Sequence, residues 1–236
     1  MSFAANLAQI QNQIACACQR ASRPESEVAL MAVSKMHPAD AVIEAYAAGL
    51  HLFGENRVQE WQEKAEALAH LTDIDVHLIG PLQSNKTARA AELFNAIDSV
   101  DSLKVATRLN SSAAALNKQL PILIEVKLSH EDSKHGILPA ELPALLEQLA
   151  SLGSLTPAGL MTVPPWSEEA EPARPYFREL RRLRDASLAA CPTLTQLSMG
   201  MSNDFAVAIE EGSTCIRIGT ALFGKRQYAT GTSANE

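Results

Sequence analysis

The sequence predicts an α/β protein, a single (β/α)8 TIM-type barrel with an extra N-terminal helix. Three observations predict it. Short β-branched or aliphatic runs alternate with helix-period patterns from about residue 28 to residue 224, with no linker-like break in composition. Eight such runs can be counted, and strand–helix–strand repetition requires parallel pairing through right-handed crossovers, because parallel neighbours need a long return connection. The length of 236 residues falls within the range, up to roughly 250, that one barrel core fills.

Taken in order, residues 1–20 (MSFAANLAQIQNQIACACQR) space Phe3, Leu7, Ile10 and Ile14 along one helix face. They lack the charged region followed by an apolar block that marks an export signal. ALMAVSK (29–35) reads as the first strand; Pro38 and Asp40 then open a helix that ends at Gly49. HLFGEN (51–56) is the second strand, and Val58, Trp61, Ala65 and Leu68 mark the stripe of the helix after it. DVHLIGP (75–81) is the third, followed by a helix that Ser84 can cap. NAIDSV (95–100) is the fourth; without it the pattern becomes a seven-unit or open doubly wound sheet. PILIEVKLS (121–129), TPAGLMTV (156–163), TQLSMG (195–200) and CIRIGT (215–220) complete the set. The expected domain covers residues 1–226, and the patternless residues 227–236 are expected to form a flexible tail.

Composition excludes several classes. Hydrophobic residues make up 47% and charged residues 20%, and no stretch approaches the roughly 18 uninterrupted apolar residues of a membrane span. No membrane association is expected. Cys16 and Cys18, one residue apart on a helix, point to different faces and have neither redox nor zinc-ligand spacing. With Cys191 and Cys215 they read as free thiols of a cytoplasmic protein. A net charge of −7 without a dense Lys/Arg run argues against a nucleic-acid surface. The most basic run, RELRRLRDAS (178–187), forms an apolar stripe at helical spacing from its Leu180 and Leu183 with the flanking Tyr176, Phe177 and Leu188, and reads as a solvated helix face. With every apolar stripe assigned to the barrel, a monomer is expected.

Barrel active sites lie at the C-terminal ends of the strands. Those ends carry Ser34-Lys35, Glu55-Asn56, Gly80-Pro81, Asp98, Lys127 to Ser129, Met161-Thr162, Ser198 to Ser202 and Gly219-Thr220, a polar, glycine-rich set. SMGMSND (198–204) turns on Gly200 and offers Ser202 or Asn203 as the cap of the next helix; RIGTALFG (217–224) adds Gly219 and the Thr220 hydroxyl. Loops after the last two barrel strands, with exposed N–H groups and helix N-termini, favour a phosphate. If Ile216 and Ile218 face the helices, alternation turns Cys215, Arg217 and Gly219 inward. Arg217 then pairs structurally, for example with Glu125, or faces a ligand. Lys35 ends an otherwise apolar strand facing the same region. A desolvated lysine there can form an imine with a phosphorylated aldehyde, which suits pyridoxal 5'-phosphate; a class I aldolase lysine or a snorkelling lysine fits the spacing equally.

The stretches AVSKMHP, FGENRVQE, HLIGPLQSNK, DSKHG, GLMTV, LSMGMSND and GSTCIRIGTALFG resemble those of the pyridoxal phosphate homeostasis protein family, relatives of the barrel domain of bacterial alanine racemases. The likeness runs from the first strand to the last. It implies a fold type III barrel in which Lys35 holds pyridoxal 5'-phosphate as a Schiff base. It also implies that Asn56 lies beside the ring, that Ser202 with the Gly200, Met201, Gly219 and Thr220 region holds the phosphate, and that Ser198 is among the cofactor-binding residues. Arg217 would face the pyridine nitrogen, where a cation makes the ring a poorer electron sink. Members of the family are regarded as carriers that buffer the cofactor and influence vitamin B6 and amino-acid balance, without assigned enzymatic turnover. Apo-enzymes that use the cofactor are the acceptors such a carrier implies. Two positions depart from the pattern: His37 stands where many relatives carry a second lysine, and Arg57 where tyrosine is common. The resemblance therefore carries no second-lysine relay to this chain.

Three other readings make different demands. A racemase needs a second acid/base group opposite the lysine, which related racemases take from a further domain that this sequence is expected to lack. Tyr46 and Tyr176 fall in helices and Tyr228 in the tail, while His77 precedes a strand end and reads as a core residue. An aldolase would use Lys35 on a phosphorylated sugar and carry no chromophore. An interaction protein would use the basic helix around Arg181 and Arg182. Lys86 and Lys134, in SNK and SKHG, read either as solvated loop lysines or as contacts of a transiently held cofactor.

Overall fold

Period-two alternation of apolar residues produces eight strands, each too short to bury its faces alone: β1 (Ala29–Val33), β2 (Leu52–Glu55), β3 (Asp75–Leu78), β4 (Ala96–Val100), β5 (Leu120–Glu125), β6 (Leu155–Met161), β7 (Gln196–Ser198) and β8 (Cys215–Ile218). In the computed structural model, which describes residues 2–129, 131 and 134–224, all eight pair in parallel and in sequence order. The barrel closes by the register Ala29↔Cys215 to Ala32↔Ile218 between β1 and β8. NAIDSV does form a strand, so the seven-unit and open-sheet readings fall away. Seven of the strands stop one to four residues before the expected C-terminal limits, and β4 ends at the expected Val100. There the chain leaves the ladder for the turns that carry the polar set, as at Ser34 and Lys35.

Between the strands run α2 (Ala39–Ala47), α3 (Val58–Ala65), α4 (Thr87–Leu93), α5 (Leu103–Ala115), α6 (Leu142–Leu149), α7 (Arg174–Ser187) and α8 (Phe205–Glu210), preceded by α1 (Phe3–Arg20) and followed by α9 (Thr220–Phe223). Helix α1 buries Phe3, Leu7, Ile10 and Ile14, as its spacing predicts, and packs against α8 and α9. Its N-terminus is capped by Ser2, whose hydroxyl accepts from the Ala5 amide at 3.3 Å. Pro38 precedes α2 and Gly49, with φ +90°, follows it, so both boundary signals hold. Ser84 does not cap α4. A turn closed by the Lys86 amide on the Gln83 carbonyl delays that helix, whose N-cap is Lys86; the Ser84 carbonyl instead accepts from the Thr87 hydroxyl.

Each strand splits its side chains between two layers. Ala32, Phe53, Val76, Ile97, Ile122, Leu160, Leu197 and Ile216 are buried against the helices. Burying each large one removes about 2 kcal/mol of apolar exposure. The inward set is less apolar. Alternation places Met31, Leu123 and Met161 there together with His77, Asp98, Glu125 and Arg217, so polar groups occupy positions that in many barrels hold Val, Ile or Leu. The basic run lies on α7, where Phe177, Leu180 and Leu183 are buried. Its arginines pair with nearby acids, Arg174 with Glu171, Glu210 and Glu211, Arg178 with Glu211 and Arg182 with Glu179, as expected of a solvated face. The proposed tail, residues 227–236 with Arg226, lies outside the described residues.

Candidate functional site

A cavity of about 430 Å³ opens where the strands end, between β1, β6, β7 and β8. Lys35 lines it from the turn after β1, where Val33 and Lys35 share a face and Ser34 takes the opposite one. The turn is tight: the His37 amide donates to the Ser34 carbonyl at 3.1 Å, and Met36 takes a left-handed φ of +62°. The Ser34 amide stays tied to the Gly54 carbonyl at 3.2 Å. Lys35 itself is half-buried. His37 also lines the cavity, its ring tilted by 30° against Phe223 with centroids 4.9 Å apart.

Arg217 reaches the cavity from β8, with only 5% of its surface exposed. Of the two roles its inward position left open, a direct ion pair with Glu125 does not occur among the described residues. Nη1 donates to the Ser198 hydroxyl at 2.8 Å and Nη2 to the Thr162 carbonyl at 2.9 Å, both neutral acceptors. Burial pulls the guanidinium below its ordinary pKa, against the opposing pull of Cys215, Asp98, Glu125 and Asp204. Burial likewise pushes the Glu125 carboxyl up, with Arg217 opposing. The arginine thus presents its charge to the cavity while two neutral oxygens hold its geometry.

The loops after β7 and β8 form the opposite wall. Gly200 has φ +97°, and a Cβ there would come within 2.6 Å of the Ala208 Cβ, so only glycine allows both the turn and the close approach of α8. A Cβ on Gly219 would stand 3.3 Å from the Val33 carbonyl oxygen. The Ser202 hydroxyl accepts from the Ala221 amide at 3.3 Å and so joins the two loops. Neither Ser202 nor Asn203 caps α8; Asp204 occupies the N-cap position. Its Oδ1 accepts from the Met201 amide at 2.6 Å, and burial raises its pKa while that bond and Arg217 oppose the shift. The Met201 N–H is therefore taken. Asn203 donates to the carbonyls of Ser167 and Glu168 at 2.8 and 3.0 Å, tying the loop after β6 to the loop after β7.

Six of the nine residues expected here, Lys35, Met201, Ser202, Arg217, Gly219 and Thr220, line the one cavity. Ser198 and Gly200 stand behind it, supporting Arg217 through the Ser198 hydroxyl and the Gly200 carbonyl, which accepts from the Arg217 amide at 2.9 Å. Asn56, at the end of β2, does not line it. Neither do Lys86 and Lys134, the latter pairing with Glu131 at 3.7 Å. Asp132 and Ser133 of the DSKHG stretch lie outside the described residues. His77 sits in the barrel interior between Asp75 and Asp98, as a core residue should. Spacing missed Trp166, 76% exposed on the cavity rim, and Asp204. The signal for Trp166 was a large aromatic in VPPWSEE, a stretch with neither helix nor strand periodicity to absorb it.

A family model described as the alanine racemase N-terminal domain matches residues 5–227. A pyridoxal phosphate homeostasis protein of Pasteurella multocida is 44% identical over 232 residues, 97% of this chain and 100% of that one. The protein of the same name from Escherichia coli K12 is 42% identical over 235 residues, 96% and 98% of the two chains. PipY of Synechococcus elongatus, solved with PLP bound, superposes with a TM-score of 0.85 at 42% identity, covering 94% of this chain and 100% of that one. An alanine racemase of Clostridium difficile, at 16% identity and a TM-score of 0.71 over 96% of this chain and 59% of that one, shares the fold. The chain belongs to the pyridoxal phosphate homeostasis protein family.

Proposed function

We propose that this member of the family binds pyridoxal 5'-phosphate as a Schiff base on Lys35. It then acts as a carrier and buffer of the cofactor in intracellular vitamin B6 and amino-acid homeostasis. The carrying observation is that an amine (Lys35), a guanidinium (Arg217) and two hydroxyl-bearing loop residues (Ser202 and Thr220) line one cavity of about 430 Å³. That volume suits a small cofactor. Gly219 lines the cavity beside Ser202 and Thr220, and a Cβ there would crowd the Val33 carbonyl at 3.3 Å, so glycine lets the end of β8 run close to the end of β1 at this wall. The relatives' shared name and the PipY structure with PLP bound support the same reading.

Each residue has a definite task. Lys35 supplies the amine that the aldehyde condenses with. Ser202, Gly219 and Thr220 hold the phosphate, while Asp204 keeps the Met201 amide occupied and thereby shapes the loop. Arg217 faces the ring nitrogen and opposes its protonation. Bound pyridoxal phosphate supplies electron withdrawal when its ring nitrogen is protonated, so an arginine there favours holding the cofactor over turning over substrates.

A non-catalytic role has further support. A racemase needs a second proton carrier across from the lysine. Tyr46 lies on α2 with its hydroxyl on Asp73, Tyr176 lies on α7, and Tyr228 is outside the described residues. His77 stands between two carboxylates, Asp75 and Asp98, and does not line the cavity. Of the imidazoles, His37 lines the cavity, from the same turn as Lys35. One barrel domain over residues 1–226, a monomer that passes the cofactor to apo-enzymes, and a cytoplasmic site complete the reading. It is consistent with free cysteines at 16, 18, 191 and 215 and with no described helix long and apolar enough to cross a membrane.

An absorbance scan tests it. The loaded protein should be yellow and bleach on borohydride reduction, with the label on Lys35, and Lys35→Ala should form no such adduct. The same stoichiometric adduct in Lys35→Ala, or racemisation of added amino acids by the wild type, would overturn it.

A further inference from the structure

On the helix side of the sheet, directly behind Lys35, a charged cluster grips the backbone on both sides of that residue. Lys64, on α3, has only 10% of its side chain exposed and uses all three ammonium protons. It donates to the Ser34 carbonyl at 3.0 Å, to Glu55 Oε1 at 2.9 Å and to Glu60 Oε1 at 2.9 Å. Glu55, fully buried, accepts as well from the Ser34 hydroxyl at 2.7 Å. Glu60, one helical turn before Lys64, accepts the Met36 amide. Residues 34 and 36 are thus both anchored to α3 or β2, and the residue between them is Lys35.

The backbone needs such an anchor. A non-glycine residue in the left-handed region costs energy unless its surroundings impose the conformation. Met36 adopts φ +62° with 56% of its surface exposed, so its side chain does little to hold it there. The Glu60–Met36 and Lys64–Ser34 bonds do. As a source of stability alone the cluster is poorly designed, because buried ion pairs seldom outperform apolar packing of the same shape. Its contacts instead fall on the atoms that aim Lys35.

We propose that Glu60 and Lys64 are positioning residues for Lys35, locking the Ser34–His37 turn so that the lysine amine is presented to the cavity. This rests on Lys35 being the residue that captures the cofactor. Slack in the turn is magnified along the lysine side chain, and a displacement of about 1 Å at a reacting atom can slow a reaction about a hundredfold.

The test is the rate at which added pyridoxal 5'-phosphate gives the yellow, borohydride-reducible adduct with apoprotein. Glu60→Ala, at a part-exposed position that leaves the Glu55–Lys64 pair intact, should slow adduct formation by about tenfold or more while leaving the melting temperature nearly unchanged. Glu60→Gln, which keeps an acceptor for the Met36 amide, should recover most of the rate. Met36→Gly in the Glu60→Ala background should recover part of it, because glycine removes the left-handed cost; a merely structural role would produce neither recovery. The double variant Lys64→Met/Glu55→Gln, which removes the charges together, should be slow as well, and if it does not fold Glu60→Ala decides alone. Wild-type labelling at Lys35 with an unchanged rate in Glu60→Ala overturns the positioning role only. Absence of any adduct at Lys35 in the wild type overturns the cofactor reading beneath it.

Discussion

His77 Nδ1 lies 3.0 Å from Asp98 Oδ1 inside the barrel, and on the far side of the ring Nε2 lies 3.4 Å from Asp75 Oδ1. Burial alone would lower the imidazole pKa. The two carboxylates, Asp98 foremost, outweigh burial and raise it to about 10. The imidazolium is therefore part of the folded protein at neutral pH, held against the buried Asp98.

This pairing makes stability depend on pH in a defined direction. A histidine whose folded pKa exceeds its unfolded value of about 6.5 contributes fully below that value, and the contribution disappears as pH rises through the folded pKa. Melting temperature should fall from pH 6.5 toward pH 10. His77→Gln should flatten that slope and cost about 3 kcal/mol at pH 7, because Asp98 is left buried without its cation. Thermal melts across the range check both; a wild-type profile as flat as the variant's would contradict the pairing.

Gly200 should tolerate no side chain. Alanine at φ +97° is strained and its Cβ meets that of Ala208 at 2.6 Å, so Gly200→Ala should destabilise the fold by about 2 to 4 kcal/mol. It should weaken cofactor binding in parallel, since the same turn carries Met201 and Ser202. Denaturant titration and spectral titration read the two effects.

Arg217 should govern the proton on the cofactor ring. In Arg217→Gln the cation is gone, while an amide remains to bond Ser198 or Thr162. The ring-nitrogen pKa of bound, 15N-labelled cofactor should then rise relative to wild type, read from its chemical shift against pH. An unchanged titration would place the guanidinium elsewhere.

Asn203 should set affinity through Trp166. Its two bonds to the Ser167 and Glu168 carbonyls hold the loop that brings the indole to the cavity rim. Losing exposed hydrogen bonds of this kind costs about 1 kcal/mol, so Asn203→Ala should weaken binding about fivefold with little change in melting temperature. Trp166→Ala should weaken it by a similar factor, and the double variant should add little to either, because both act through one loop.

The barrel and one wall of its site are legible in the chain's local patterns. Strand runs, the Pro38 and Gly49 helix signals and the α1 stripe are local properties of neighbouring residues. Alternation along β8 was enough to turn Arg217 inward, and the apolar run closing in Ser34-Lys35 ahead of Pro38 put Lys35 at the mouth of the barrel, in the turn that follows β1. What lay beyond the reach of those patterns were pairings between segments far apart in the chain. Nothing in the spacing says that Arg217 meets Ser198 and Thr162 rather than Glu125, that Asp204 takes the Met201 amide and displaces Ser202 as the cap, or that Asn203 ties down the Trp166 loop. Nor does it place Lys64 against the Ser34 carbonyl. Those contacts exist only once the barrel closes and its register sets which strand ends and helix faces meet. A residue's own periodicity specifies the face it takes, and the closed ring supplies the partner it finds there.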